Sequence, residues 1–219
     1  MAFLIVFGSI VGQIAKYVFG HDYLMGFVPL FYVDNEANIP TFFSMALLLL
    51  ASLLLAVITF LSSKVSRQKW YWAFLSCGFL YMAYDEGMGG HERLIYPIRE
   101  WLFADGKAGI FYFAWVIPGI AIVILLAFFF LKFWLQFPAP VRNGFLISAS
   151  LYLGGAILVE LVGGYYTESV GTGNLVYSMI ATLEESLEMA GAITFLWVLL
   201  KYLRDNHAGI LFRFSDQRI

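Results

Sequence analysis

The chain has 219 residues, of which 61% are apolar and only 13% charged, with a formal net charge of −2. Soluble domains are about half apolar and a quarter charged, so a fold of this length cannot hide so much apolar surface from water. The composition therefore predicts a polytopic all-α bundle in a lipid bilayer. The weakly acidic charge excludes a nucleic-acid partner, and the single cysteine, Cys77, excludes a disulfide framework.

Six stretches are apolar enough to cross a bilayer core of about 30 Å, which takes roughly 20 residues. They lie at about 2–19, 41–63, 70–88, 109–135, 142–163 and 175–200. We therefore predict one integral membrane domain, residues 1–219, made of about six transmembrane helices. The first stretch has no basic residue ahead of its apolar run, which favours a spanning helix over a cleaved signal peptide.

Three local features add to this prediction. The segment HERLIYPIREWLF, between spans three and four, mixes apolar and charged residues and predicts a short interfacial helix. Pro118 lies inside the fourth span and predicts a kink there. Ser150 and Gly154, in the fifth span, have the spacing of small residues that lets helices approach closely, and they predict tight packing.

Lysine and arginine residues in the loops set the predicted orientation. Nine of the thirteen fall at one end of the predicted bundle: Lys64, Arg67, Lys69, Lys132, Arg142, Lys201, Arg204, Arg213 and Arg218. This end is predicted to be cytoplasmic. Both termini then lie on the cytoplasmic side, which agrees with an even number of spans.

The acidic residues have the opposite distribution, because only Asp205 and Asp216 fall on the predicted cytoplasmic side. Six of the others lie where hydrocarbon is expected: Asp85, Glu86, Glu160, Glu184, Glu185 and Glu188. A carboxylate at the centre of a spanning helix costs about 2.5–3.5 kcal/mol or more. Protons, metal ions or a water-filled cavity must therefore stabilise this group.

The spacing of the acids favours a bound cation. Glu184 and Glu185 lie four and three residues before Glu188, so these like charges repel on one helix surface unless a cation or a proton separates them. In DEGMGGHE, the glycines can break the helix and deliver His91 and Glu92 from a turn. Carboxylates with imidazole are usual ligands of iron or manganese, and carboxylates alone suit calcium or magnesium.

We therefore predict a site for divalent metal ions, with iron or manganese favoured, open to the non-cytoplasmic side. The predicted ligands are Asp85, Glu86, His91, Glu92, Glu160, Glu184, Glu185 and Glu188, with Asp34, Glu36, Arg93 and Tyr84 as supporting residues. A redox-active metal would suit a membrane oxidoreductase acting on a lipid or quinone-like substrate.

Three alternatives stay open. The chain can be a transporter or channel that handles protons or cations, or an accessory subunit of a larger membrane complex or homo-oligomer. Neutral carboxylic acids and carboxylate–Arg93 pairs can also simply tie helices together.

Several runs of the sequence resemble a family of uncharacterised bacterial multi-span membrane proteins: FYVDNEANIPTFFS, YDEGMGGHERL, FAWVIPG, GGAILVELVGG and TLEESLEMAGAITF. The similarity runs from about residue 30 to 203 and includes DNEANIP, DExxxxHE and EExLEMxG motifs. It implies that the acids of these motifs are the family's recurrent polar residues and that the protein lies in a bacterial inner membrane. It implies no activity. Gly87, Gly89 and Gly90 depart from a more helical version of the second motif.

Overall fold

The computed structural model describes residues 1–62, 68–104 and 106–206, and these are almost entirely helical. Their nine α-helices are α1 Ala2–Tyr17, α2 Phe27–Phe31, α3 Ile39–Leu61, α4 Gln68–Met88, α5 Ile95–Phe103, α6 Val116–Trp134, α7 Ala139–Leu153, α8 Glu160–Val170 and α9 Leu175–Asn206. The all-α prediction is confirmed. The helix predicted after span three is present as α5. Lys64, Arg67, Arg213 and Arg218, used for the predicted orientation, lie outside the described residues.

In the described part of the chain, four helices are long and apolar enough to cross a membrane: α3, α6, α9 and the continuous helix Ala139–Val170. The prediction of six spans is therefore not confirmed. Helix α1 is apolar but has only 16 residues. In α4, tryptophans, tyrosines and the terminal Asp85 and Glu86 reduce the mean hydropathy. Helices nevertheless occupy all six predicted stretches.

Helix α6 begins later than the predicted span. Its first residue is Val116, so Pro118 lies in the first turn and not in the helix interior. The first N–H groups of a helix have no carbonyl partner within it, so a proline there loses no hydrogen bond. The kink predicted at Pro118 is therefore wrong.

The long helices alternate in direction, so their ends form two groups. The acidic end of the bundle comprises the starts of α3, α6 and α9 and the ends of α4 and α8. The basic end is the opposite one, where Lys69, Lys132, Arg142, Lys201 and Arg204 lie. An aromatic core fills the interior of the basic end, and its members include Trp72, Phe133, Phe137, Leu199 and Leu203.

Glycines bring Ala139–Val170 against α9. A Cβ atom added to Gly155 would lie 2.6 Å from the backbone oxygen of Glu184. One added to Gly191 would lie 2.6 Å from the backbone nitrogen of Tyr152. The Ser148 hydroxyl donates a hydrogen bond to the Gly191 carbonyl at 2.9 Å across the same interface. The two helices therefore approach to backbone contact along the stretch that carries their acids.

The predicted small-residue pair does not make this contact. Ser150 is exposed, and a Cβ atom on Gly154 would meet nothing within 4 Å. The tight contact predicted at these two residues is therefore wrong. Residues Gly154–Val159 form a π-helical segment that joins α7 to α8, and its Gly155 faces α9 instead. Such wide turns change which side chains face a neighbour, and they are frequent at functional sites.

Replacing Gly191 by alanine should lower the free energy of unfolding by about 1–3 kcal/mol, because the added Cβ would overlap the Tyr152 backbone. Gly78→Ala is the matched control, since a Cβ added to this helical glycine meets nothing within 4 Å. The control should be neutral or more stable by about 0.5–1 kcal/mol, because alanine is the better helix former. Thermal unfolding in detergent measures both, and equal stability of the two variants would contradict the proposed contact.

Candidate functional site

A cavity of about 520 Å³ lies at the acidic end of the bundle. The described residues of its wall include nine carboxylates and one imidazole: Asp34, Glu36, Asp85, Glu86, His91, Glu92, Glu160, Glu184, Glu185 and Glu188. Among the lining residues that the structure describes, none is a lysine or an arginine. We call this space the acidic cavity.

The structure brings together all eight predicted ligands, and Asp34 and Glu36 line the same cavity. The other two supporting residues are elsewhere. Arg93 is exposed, and its guanidinium donates a hydrogen bond to the Met88 carbonyl at 3.1 Å. Tyr84 is 62% exposed and is not part of the cavity wall. The acids therefore face one another without a guanidinium among the described residues of the wall.

Helix α9 forms one wall of the acidic cavity through a single face. Tyr177, Ala181, Glu184, Glu185 and Glu188 line it at helical spacing. Since an α-helix rises 1.5 Å per residue, this face extends for about 16 Å. The three glutamates therefore occupy the deeper part of the cavity, and Tyr177 lies nearer the start of the helix.

His91 is delivered from a turn, as the glycines predict. Helix α4 ends at Met88, and Gly89 has a φ of +54°, a conformation that favours glycine. Beyond this turn, the Asp85 carboxylate accepts a hydrogen bond from the His91 backbone N–H at 3.1 Å. The other Asp85 oxygen lies 2.6 Å from Nδ1 of the His91 ring. This contact leaves Nε2 of His91 as the ring nitrogen that can bind a ligand.

The Asp85 carboxylate also influences the protonation of the His91 imidazole. Burial alone would lower the pKa of His91, but the hydrogen bond to Asp85 and the negative charges of Asp85, Glu92 and Glu160 outweigh it. The pKa of His91 is therefore raised. The Asp85 carboxylate fixes both the orientation of the imidazole and its electrostatic environment.

Glu160 connects three elements of the wall. It follows the π-helical segment, and its carboxylate accepts a hydrogen bond from the indole N–H of Trp115 at 2.7 Å. The Glu184 carboxyl group of α9 is its neighbour in the wall of the acidic cavity. The Trp115 ring in turn packs on His91, with ring centroids 4.7 Å apart.

Tyrosines lie beside two other carboxylates of the wall. Asp34 accepts hydrogen bonds from Tyr32 at 3.0 Å and from Tyr177 at 3.2 Å. Tyr152 lies next to Glu188. Sequence reasoning did not select Tyr32, Tyr152 or Trp115 as site residues, because aromatic residues are common throughout membrane helices. The sequence gives one indication for Tyr152, because it lies eight residues, or about two helical turns, before Glu160 and can face the same side of the helix.

Glu168, also outside the predicted set, holds the loop that leads to Trp115. Its two carboxylate oxygens accept hydrogen bonds from the backbone N–H groups of Ala108 and Gly109, at 2.6 and 2.7 Å. Gly109 has a φ of +60°. The carboxylate thus fixes the chain between α5 and α6 against the end of α8.

The side chains do not converge on one point. In the described residues, no group of three or more histidine, cysteine, aspartate and glutamate side chains stands close enough to hold a metal ion. The acids instead lie spread around the cavity wall. Two of them, Asp34 and Glu160, accept hydrogen bonds from aromatic side chains.

The chain belongs to the family described as Domain of unknown function (DUF8692), whose model matches residues 1–203. No curated protein and no solved structure matches the chain. The family match covers the six helical stretches and every residue of the acidic cavity.

Replacing Glu168 by glutamine should lower the free energy of unfolding by about 1–3 kcal/mol, because one of two backbone N–H groups would face an amide N–H instead of an oxygen. Glu100→Gln is the control, because Glu100 is an exposed glutamate on α5. Thermal unfolding and amide exchange at Gly109 measure the effect. Unchanged exchange in the Glu168 variant would show that the carboxylate does not hold the loop.

Proposed function

We propose that this member of the family binds divalent metal ions in the acidic cavity. The observation that supports the proposal most is the composition of the wall, with nine carboxylates, one imidazole and no lysine or arginine among its described residues. A like-charged set in a site of low dielectric constant is stable only when cations or protons neutralise it. The cavity therefore calls for a positively charged ligand.

The ligand chemistry favours iron or manganese. His91 presents Nε2 while Asp85 holds Nδ1, which is the arrangement of the carboxylate–histidine–metal triad. Asp85 is then a residue that positions the ligand, and His91 binds the ion together with nearby glutamates such as Glu86, Glu92 and Glu188. Imidazole with carboxylates suits iron or manganese, whereas oxygen ligands alone would favour calcium or magnesium.

Binding requires the glutamates to move inward, because the side chains as they stand do not converge. Each glutamate side chain has three rotatable bonds, so its carboxylate can swing over several ångströms without backbone movement. Desolvation of the ion is offset by the repulsion that it relieves among the acids.

The orientation follows from the two ends of the bundle. Lys69, Lys132, Arg142, Lys201 and Arg204 lie at the basic end, opposite the cavity. Under the positive-inside rule this end is cytoplasmic. The acidic cavity then opens to the periplasmic side of a bacterial inner membrane, and both termini are cytoplasmic.

The cavity has room for more than an ion. A volume of about 520 Å³ lies in the range of small-molecule pockets. Its wall also includes apolar residues on three helices, among them Met82, Val123 and Ile157. These features favour an oxidoreductase in which a redox-active metal meets a lipid or quinone-like substrate.

One observation favours proton handling as a second function. Glu160 and Glu184 are neighbours in the cavity wall, and a proton shared between them would remove their repulsion, as in the carboxyl pairs of proton relays. A complete path across the membrane is less well supported, because the aromatic core around Trp72 fills the interior of the basic end. Ion flux in liposomes that is abolished by Glu188→Gln would favour transport over a closed metal site.

The exposed apolar face of α6 supports a third function, as an accessory subunit of a larger membrane complex. The fully buried residues of this helix are Val116 and Phe133, at its two ends, whereas Leu125 is 68% and Phe128 74% exposed. Such a face suits contact with lipid or with another membrane subunit. Co-purification of a stoichiometric partner, together with assembly that survives Glu184→Gln/Glu188→Gln, would favour this function.

Protein purified in detergent after growth with iron and manganese should carry about one metal ion or more per chain. The double variant Glu185→Gln/Glu188→Gln should lose most of this metal, because it removes two carboxylates from the deep wall. Glu100→Gln, which changes an exposed acid on α5, should keep it. Elemental analysis of folded samples measures all three, and less than about 0.2 metal ions per wild-type chain would refute the proposal.

Asp85→Asn should weaken Mn²⁺ binding about 10–100-fold, because the amide is a weaker partner for the His91 ring than the carboxylate. Asp22→Asn is the control, since Asp22 is an exposed acid outside the cavity. Mn²⁺ titration followed by electron paramagnetic resonance measures the affinity. Wild-type affinity in the Asp85 variant would exclude the proposed triad.

A further inference from the structure

A second, much smaller cavity lies behind two of the glutamates. Its volume is about 10 Å³, and its polar lining consists of Ser44, Glu86, Tyr152 and Glu188. The last three also line the acidic cavity, so they separate the two spaces. Leu48 and Met189 are among the apolar residues that close the small cavity on its other sides.

Ser44 points to a ligand in this small cavity. The residue is only 8% exposed, and its hydroxyl oxygen has no hydrogen-bond partner in the protein. Buried hydroxyl groups nearly always have one. Other hydroxyls of α3 and its end bond to the carbonyl four residues earlier, as Thr59 and Ser62 do. Ser44 instead lines the small cavity.

The size and lining of the small cavity suit one water molecule. A water needs about 10–15 Å³ of such space and two to four polar partners. We propose that the small cavity holds a single water that accepts a hydrogen bond from Ser44 and donates to Glu86 and Glu188. The water therefore satisfies a buried hydroxyl and two carboxylates at once.

This water makes Ser44 a positioning residue. It holds Glu86 on α4 and Glu188 on α9 from the side away from the acidic cavity. Resting on the proposed metal function, the water restrains the two glutamates so that their remaining oxygens face the ion, as outer hydrogen bonds do for metal ligands. Ser44 then acts on the metal site without touching the metal.

The first experiment is a density map of the metal-free protein at a resolution that shows waters. A peak at hydrogen-bond distance from the Ser44 hydroxyl and from both carboxylates is expected in wild type, and Ser44→Val should abolish it by filling the space. A wild-type map with an empty small cavity would overturn the proposal. A peak with the short contacts of a sodium ion, about 2.4 Å, would overturn it as well.

The second experiment is a Mn²⁺ titration of Ser44→Ala. Affinity should fall about 10-fold, and the Mn²⁺ resonance at saturation should change shape, because the two glutamates are less restrained. Ser52→Ala is the control, since this buried α3 serine donates to the Ser76 carbonyl at 2.8 Å and lines neither cavity.

The outcomes separate the two proposals. Wild-type affinity and line shape in Ser44→Ala would refute the positioning role, even if the fold is intact. A water peak in a wild-type protein that binds no Mn²⁺ would support the water and refute the metal function. Equal losses in the Ser44 and Ser52 variants would indicate general destabilisation and overturn the role of Ser44.

Discussion

Repulsion among carboxylates in a confined space is the constraint on which the acidic end depends. Part of it is relieved by neutral donors of the protein: Tyr32 and Tyr177 for Asp34, and Trp115 for Glu160. These contacts relieve only part of the repulsion, so protons or the proposed cation remain to relieve the rest.

The fold brings these groups together through close backbone approach. Gly155 and Gly191 let α9 contact the helix that carries Glu160, and the positive φ of Gly89 turns His91 back towards Asp85. Six of the nine acids thus lie on the helices α4, α8 and α9, while Asp34, Glu36, Glu92, the imidazole and Trp115 come from short connections. A site of this construction keeps its backbone fixed and adapts through side-chain torsions.

Much of this arrangement could be predicted from the sequence, because a charged residue in hydrocarbon is costly and hydropathy locates the hydrocarbon. That logic found the helical stretches and the eight predicted ligands, seven acids and one histidine, that now line one cavity. It failed where local signals are ambiguous. A hydropathy window does not show that helix α6 begins at Val116. Counting tyrosine and tryptophan as apolar residues makes α4 resemble a span, although they lower its mean hydropathy. Aromatic residues such as Tyr152 occur at the membrane interface as well as in binding sites. No local sequence pattern predicts a π-helical turn.

The π-helical segment Gly154–Val159 also restricts how this family can vary in length. Each residue added to a helix rotates everything that follows by about 100°. The π-turn already holds one residue more than an α-turn, so a further residue inserted between Tyr152 and Glu160 would take Glu160 away from Trp115 and α9 while leaving the hydropathy of the helix almost unchanged. Insertions in relatives should accordingly fall in the loops. In this stretch the number of residues, as much as their identity, determines which side chains meet α9.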